Sequence, residues 1–439
     1  MSKHNKSLLS KAVTLGLLVG LGVSSTSIVI NSSSLTPTKA ATYDEDKQAL
    51  ENSPINKKIK EYENSGLDDK DSNIKPDKYV TKEDFDDEEA YNAYLKDRSY
   101  VSTDAPEVSN DGDKPTVTVK NVTGTKKYTL NVKNSNGGHS LAVQRAFVGS
   151  TYIYITQRSE NTTYLSRLTI NKETGNSADY KDTMTLTSFG HTQTLEEFSY
   201  NGKYYFWIGC KGVLSINSPR ATQWSTQMAR IQYKAGETHA YTEFPRFSSL
   251  NRLNSTGSDN GTVHRSDGAL SDTTNRLLIW TSKLSGTADP YIHYASYDTN
   301  KLNAIMDDAE TKASKYVPLN DSRVLSAYVD GKTINKSPWL DPTSGIISYG
   351  SMQGLEFSAG NATYVSSGGN TSPAQAPAVA KYGWGSNTAS KIKLNNSNFD
   401  TNTETEGLQI KGNDLLIGID THVSGASPQY IYSVDKSVF

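Results

Sequence analysis

Between residue 143 and the C-terminus the chain runs through one short pattern five times: polar residues, an apolar strand, a turn at Gly or Asn, a second apolar strand, then a third. The opening hairpins are VQRAFVGSTYIYITQ (143–157), TQTLEEFSYNGKYYFWIG (192–209), HRSDGALSDTTNRLLIWT (264–281), MQGLEFSAGNATYVSSG (352–368) and TEGLQIKGNDLLIGID (405–420). The third strands are YLSRLTINKETG, QMARIQYKAGE, YIHYASYDTNKL, AVAKYGWGSNTA and QYIYSVDKSVF. A unit this small cannot bury its own apolar faces, so each must pack against its neighbours. The starts lie 49, 72, 88 and 53 residues apart, a spacing that suits four-stranded blades with loops of uneven length. The expected fold is therefore all-β, a five-bladed β-propeller, with a β-sandwich of the same strands as the alternative. Asn201-Gly202, the strongest local hairpin signal, lies at the turn of the second unit.

The final unit ends at Phe439 directly after its third strand, which leaves one blade without an outer edge. Just ahead of the first unit, TVTVKNV and KYTLNVKN are strands belonging to no complete unit. Pairing one of them with the last blade closes the ring and covers an exposed edge.

What precedes the repeats has a different character. MSKHNKSLLSK is basic, AVTLGLLVGLGVSSTSIVI is apolar and TPTKA ends in small residues, which reads as a signal peptide over 1–40, cut after Ala40 or Ala41. An uncleaved anchor helix is the rival reading. Residues 42–113 carry 21 acidic and 10 basic side chains, a net of −11, against +4 for 1–41 and +5 for 114–439. With few large apolar groups and runs such as EDFDDEEA, the segment 41–112 is expected to be disordered or partly helical, serving as a linker or as a mask for the basic body. The propeller then occupies 113–439. One cysteine, Cys210, excludes an internal disulfide; it lies in YYFWIGCK and reads as a small buried strand residue. The protein is expected to be secreted, extracellular and monomeric.

The innermost strand of each propeller blade lines the axis, so the polar residues opening the units should gather at one mouth. The candidate ligand-binding set is Gln144, His191, Gln193, Glu196, His264, Arg265, Gln353, Glu404 and Glu406. Glu196 and Glu356 are marginal members, because alternation along their strands can turn them away from the axis. Such a ring suits a polyhydroxylated or phosphate-bearing ligand, or a channel-bound cation; no other cofactor is implied. The alternative is a polar, hydrated channel lining with no ligand. No HExxH, GxSxG, P-loop or close cysteine pair is present, so the chain does not read as an enzyme. His191 with His264 is a thin basis for zinc, and Glu196 with Glu406 an equally thin one for glycoside hydrolysis. A body charge of +5 spread over 326 residues gives no dense basic stripe, so nucleic acid is not an expected partner.

GHTQTLEEF, YFWIG, QMARIQY, TEFPRFSSLNR and the closing TEGLQI with YIYSVD resemble the helveticin J family, large heat-labile bacteriocins of lactic-acid bacteria. The likeness runs through most of the body and is densest from Phe189 to Arg252. It departs at the extra residue between Leu195 and Phe198, and at VHRSDGALS, where relatives have a more acidic stretch. The resemblance implies a secreted antibacterial protein that kills related bacteria at their envelope; the polar mouth is then expected to recognise an envelope polymer, either a glycopolymer or teichoic acid. The resemblance implies no catalytic residues. Peripheral membrane contact fits the basic body. A non-lethal adhesin or aggregation factor and a wall glycan hydrolase are the alternatives.

Overall fold

The computed structural model describes residues 115–132, 141–159, 161–212, 224–260, 263, 265–282, 291–335, 345–347, 352–360, 362–368, 376–383, 388–399, 403–421 and 429–439. The signal-peptide segment, the acidic segment and His264 lie outside the described residues.

Two strands, β1 (Thr116–Val122) and β2 (Thr125–Asn131), precede the first repeat. Blade 1 is β3 (Val143–Val148), β4 (Tyr152–Ser159), β5 (Thr162–Ile170) and β6 (Ser177–Thr187), antiparallel from axis to rim. Blade 2 is β7 (Leu195–Tyr200), β8 (Lys203–Gly212) and β9 (Ser225–Ile231); β10 (Thr238–Ala240) leaves it to pair with β6, and β11 (Arg246–Ser248) completes it. Blade 3 starts with β12 (Arg265–Leu270), β13 (Arg276–Ser282) and β14 (Tyr291–Asp298). Helix α1 (Thr299–Glu310), β15 (Tyr316–Pro318) and helix α2 (Ser322–Ala327) follow before its outer strand, β16 (Tyr328–Asn335). Blade 4 is β17 (Gly354–Phe357), β18 (Ala362–Ser367), β19 (Ala378–Gly383) and β20 (Thr388–Leu394). Blade 5 is β21 (Glu404–Lys411), β22 (Asp414–Asp420) and β23 (Gln429–Asp435).

The inner strands β3, β7, β12, β17 and β21 neighbour one another in that order and return to β3, so the blades form a closed five-membered ring. Five apolar clusters lie between successive blades, which explains why the second strands have no polar face. In β13, Leu277 and Ile279 face blade 2, while Leu278 and Trp280 face blade 4. Similarly in β8, Tyr205 and Trp207 face blade 3 and Phe206, Ile208 and Cys210 face blade 1. The hairpin between β7 and β8 turns at Asn201 (φ 50°) and Gly202 (φ 74°), both left-handed as a type I′ turn requires.

Ring closure takes place as the sequence leads one to expect. β2 pairs antiparallel with β23, Lys126 opposite Tyr432 and Leu130 opposite Gln429, supplying the missing outer strand of blade 5. It also touches β6 in parallel at Thr129–Asn131, joining blades 5 and 1 in one continuous sheet. β1 adds a parallel fifth strand to blade 4 along β20. The segment inserted in blade 3 reaches sideways, because β15 pairs with β11 of blade 2 and α1 holds Arg230 through Asn303 O (3.0 Å) and Asp307 Oδ1 (2.6 Å).

Candidate functional site

Along the axis the inner strands carry two charge networks. The first is centred on Arg145 of β3, which is fully buried. Its Nη2 donates to Oε1 of Glu196 from β7 and to Oε1 of Glu356 from β17, and Nη1 donates to Leu355 O at 3.4 Å. The side chain passes over Gly407 of β21, where a Cβ would collide with Arg145 Cδ, so only glycine fits there. Arg145 thus connects blades 1, 2 and 4 and lies against blade 5. Burial opposes its charge, but the two carboxylates outweigh burial and hold its pKa up. Burial and the neighbouring Glu356 carboxylate push Glu196 well above its usual range. Burial likewise raises Glu356, against the pull of Arg145. Two carboxylates on one guanidinium favour a proton retained between them.

The second network starts at Arg265 of β12. Its Nε donates to Asp267 Oδ2 at 2.9 Å and its Nη2 to Oε1 of Gln193, which precedes β7. Gln193 Nε2 donates to Glu406 Oε2 of β21 at 3.2 Å. Asp267 Oδ1 accepts from Gln193 N (3.1 Å) and Thr194 Oγ1 (3.2 Å), tying blade 3 to blade 2. Burial raises both Asp267 and Glu406, the latter helped by the adjacent Glu404 and Asp420 carboxylates. Beside this network Gln353 donates from Nε2 to Glu404 Oε1 and accepts from Thr405 Oγ1 at 3.1 Å, linking blades 4 and 5.

Of the sequence-derived set, Gln193, Arg265 and Glu406 meet directly, and Gln353 meets Glu404. Glu196 faces the axis but joins the Arg145 network. All of these except half-buried Glu404 are buried. Gln144 stands apart, half-buried and without a hydrogen bond among the described residues. The ladder slips between Val143 and Arg145, so a bulge there brings Arg145 inward next to it. His191, also half-buried, pairs with Trp224 in a parallel bridge and stacks on its ring at 4.0 Å and 9°. Neither His191 nitrogen has a hydrogen-bond partner among the described residues. Burial, then Arg158 and Arg265, push its pKa well below the usual value, so the imidazole is neutral. Arg265 completes this corner, its guanidinium 3.5 Å from the Trp224 ring centre and 5.2 Å from that of Trp280.

Sequence reasoning missed Arg145, Asp267, Trp224 and Trp280, and underweighted Glu356. The available signal was charge inside short strands that are otherwise apolar or small, as Arg265 and Asp267, two residues apart, in RSDGAL. Next to the second network, Gln193, Arg265, Asp267, Trp280, Met352, Gly354 and Leu355 line a narrow crevice with no room for a water molecule. Among the described residues no group of three or more His, Cys, Asp or Glu side chains is placed to hold a metal ion. No described helix is long and apolar enough to cross a membrane.

Comparison with known proteins adds a family and a set of remote folds. The profile of the family described as bacteriocin helveticin-J matches residues 118–435. No curated protein matches the chain. Among solved structures, an exo-β-1,3-galactanase from Phanerochaete chrysosporium aligns at 10% identity and TM-score 0.39, over 72% of this chain and 65% of its own. A glycoside hydrolase from Bacteroides ovatus aligns at 9% identity and TM-score 0.35, over 68% and 87% of the two chains. The WD40 domain of Toxoplasma gondii coronin aligns at 9% and 0.28, over 74% and 89%. Likenesses this remote carry no argument about the site.

Proposed function

Because the chain belongs to the helveticin J bacteriocin family, we propose that it is an exported antibacterial protein that recognises the envelope of related bacteria at the propeller mouth and kills them. The observation that carries this reading is the family match, which spans the ring from β1 to β23. The geometry supports a recognition role over a catalytic one. Of the two carboxyl groups that glycoside hydrolysis would need, Glu196 is held by Arg145, whereas Glu406 is engaged by Gln193 in a separate network. Half-buried Gln144, His191, Trp224 and Glu404 lie at or just before the starts of β3, β7, β9 and β21, and are the groups this reading assigns to the mouth. A neutral imidazole and an indole stacked beside a guanidinium form a surface suited to a polyhydroxylated polymer, with the basic body favouring approach to an anionic wall.

The test adds the purified protein to cells of related bacteria and to isolated walls. Loss of viability without soluble wall sugars is the expected result. Clumping of fully viable cells overturns it in favour of an adhesin. Release of sugars that is abolished by Glu406→Gln overturns it in favour of a hydrolase.

A further inference from the structure

His191 occupies a position that suits only one protonation state. Its imidazole lies flat on Trp224, 4.0 Å between centres and 9° between planes, and the Arg265 guanidinium stands 3.5 Å from the centre of the same indole. Two groups cannot share one face of an indole at those distances, so His191 covers one face of Trp224 and Arg265 the other. Both imidazole nitrogens are buried, and neither has a hydrogen-bond partner among the described residues. The charges that act on the imidazole are cations, Arg158 of β4 and Arg265 of β12. Lys211, near the end of β8, precedes Gly212, which packs on Gly190. The carboxyl groups of this end of the propeller lie beyond Arg265, Asp267 bonded to it and Glu406 bonded to Gln193. No Asp or Glu occurs in VLSINSPRATQ, residues 213–223, which lead to Trp224 in the sequence.

A neutral imidazole tolerates this setting, because it gives up modest hydrogen bonds to water and gains the stack. An imidazolium does not: it carries two N–H donors without an acceptor, and it stands across one indole from Arg265 with Arg158 nearby. Attraction of the charged ring to the indole offsets part of this, but Arg265 already draws on the same indole, and nothing replaces the water lost by two charged donors. The backbone on either side is pinned. Gly190 N donates to Asn161 O at 3.3 Å, Thr163 Oγ1 donates to Gly190 O at 2.7 Å, and Gly209 N donates to Thr192 Oγ1 at 3.0 Å. Release therefore falls to the side chain of His191, a half-buried residue with solvent beside it. We propose that His191 is an acid-operated latch on the mouth: a proton taken up by the imidazole turns the side chain off Trp224 into water and uncovers one face of the indole. The latch is closed above the ordinary histidine value of about 6.5, and it opens as pH falls through a lower value set by burial and the two arginines. It is a property of the fold and operates whether or not this mouth meets an envelope.

The test follows tryptophan emission of the purified protein from pH 8 towards pH 4, with far-ultraviolet circular dichroism to mark where the fold is lost. A reversible red shift is expected while the fold holds, with a one-proton midpoint below about 6.5, because one face of an indole passes from a stacked to a wet environment. His191→Phe keeps a ring on Trp224 that cannot take up the proton, and should abolish the shift. Trp224→Phe removes the reporter and should abolish it as well. A shift retained in either variant, or no shift before the fold is lost, overturns the proposal. Should neither variant fold, the imidazole C2 protons of the unaltered protein decide by nuclear magnetic resonance: one of them must titrate at the midpoint of the emission change, and the absence of such a proton overturns the latch.

Discussion

Arg145 concentrates much of the fold's constraint, since one guanidinium holds carboxyl groups from two other blades at the centre of the ring. Arg145→Met keeps the length and removes the charge, leaving Glu196 and Glu356 facing each other without water. A loss of about 3–5 kcal/mol is expected, read as a lower midpoint of urea unfolding. A second prediction concerns protons. Glu196, Glu356, Glu406 and Asp267 have native pKa values raised chiefly by burial. Their contribution is complete below the unfolded carboxylate range, about 4, and is lost as pH rises through the higher native values. His191, with its pKa lowered by burial, opposes this: its contribution is present above about 6.5 and is lost as pH falls through the native value. Exposed ion-paired carboxylates such as Asp308 lose theirs only in stronger acid. Four buried carboxylates against one imidazole give a melting temperature that climbs as pH is lowered from 8 towards 5. Glu196→Gln should flatten that climb, and a profile that falls monotonically from 8 to 5 refutes the account. None of this was visible in the residues, because Arg145 meets Glu356 across 211 positions and reaches it through a strand bulge that alternation does not reveal.

At the level of elements, the hairpins were legible because their turns are local chemistry. Gly202 shows this in isolation: its φ is +74° and nothing lies within 4 Å of an added Cβ, so Gly202→Ala pays backbone strain alone. A loss of about 1–2 kcal/mol without any change in the near-ultraviolet spectrum of the core is expected, and a neutral substitution would contradict the type I′ assignment. The second strands were harder to read. β22, DLLIGID, is buried along both faces from Leu415 to Asp420, so it has no alternation for a one-sided sheet to display. The repeat, and not the periodicity, identified it as a strand. Helices α1 and α2 went unread for another reason: Asp298 caps α1 through Asn300 N (2.9 Å) and Lys301 N (3.1 Å), but the sequence there continues a strand without a Gly or Pro break. Asp298→Ala should cost about 1 kcal/mol and leave the propeller intact, as followed by thermal melting.

The molecule as a whole is a ring, and a ring is only as stable as its closure. In this chain the closing strand comes from the N-terminal side of the repeats: β2 completes blade 5 and β1 extends blade 4, so the strands that precede the first blade secure the last two. Leu130 of β2 lies in the same apolar cluster as Val143, Ile155, Leu416 and Ile431, so its removal opens the core between blades 5 and 1 as well as the sheet edge. Deleting 114–135 therefore exposes the outer edges of β20 and β23 together with part of a core, a combination that favours aggregation over a looser native state. Among the described residues, every strand of the ring and every member of its five clusters lies outside 42–110. The first truncation should lose cooperative thermal unfolding, and the second should melt as the full chain does. Equal melting temperatures for the two would mean that blades 4 and 5 hold without their borrowed strands, and that five inter-blade cores suffice to keep the circle shut.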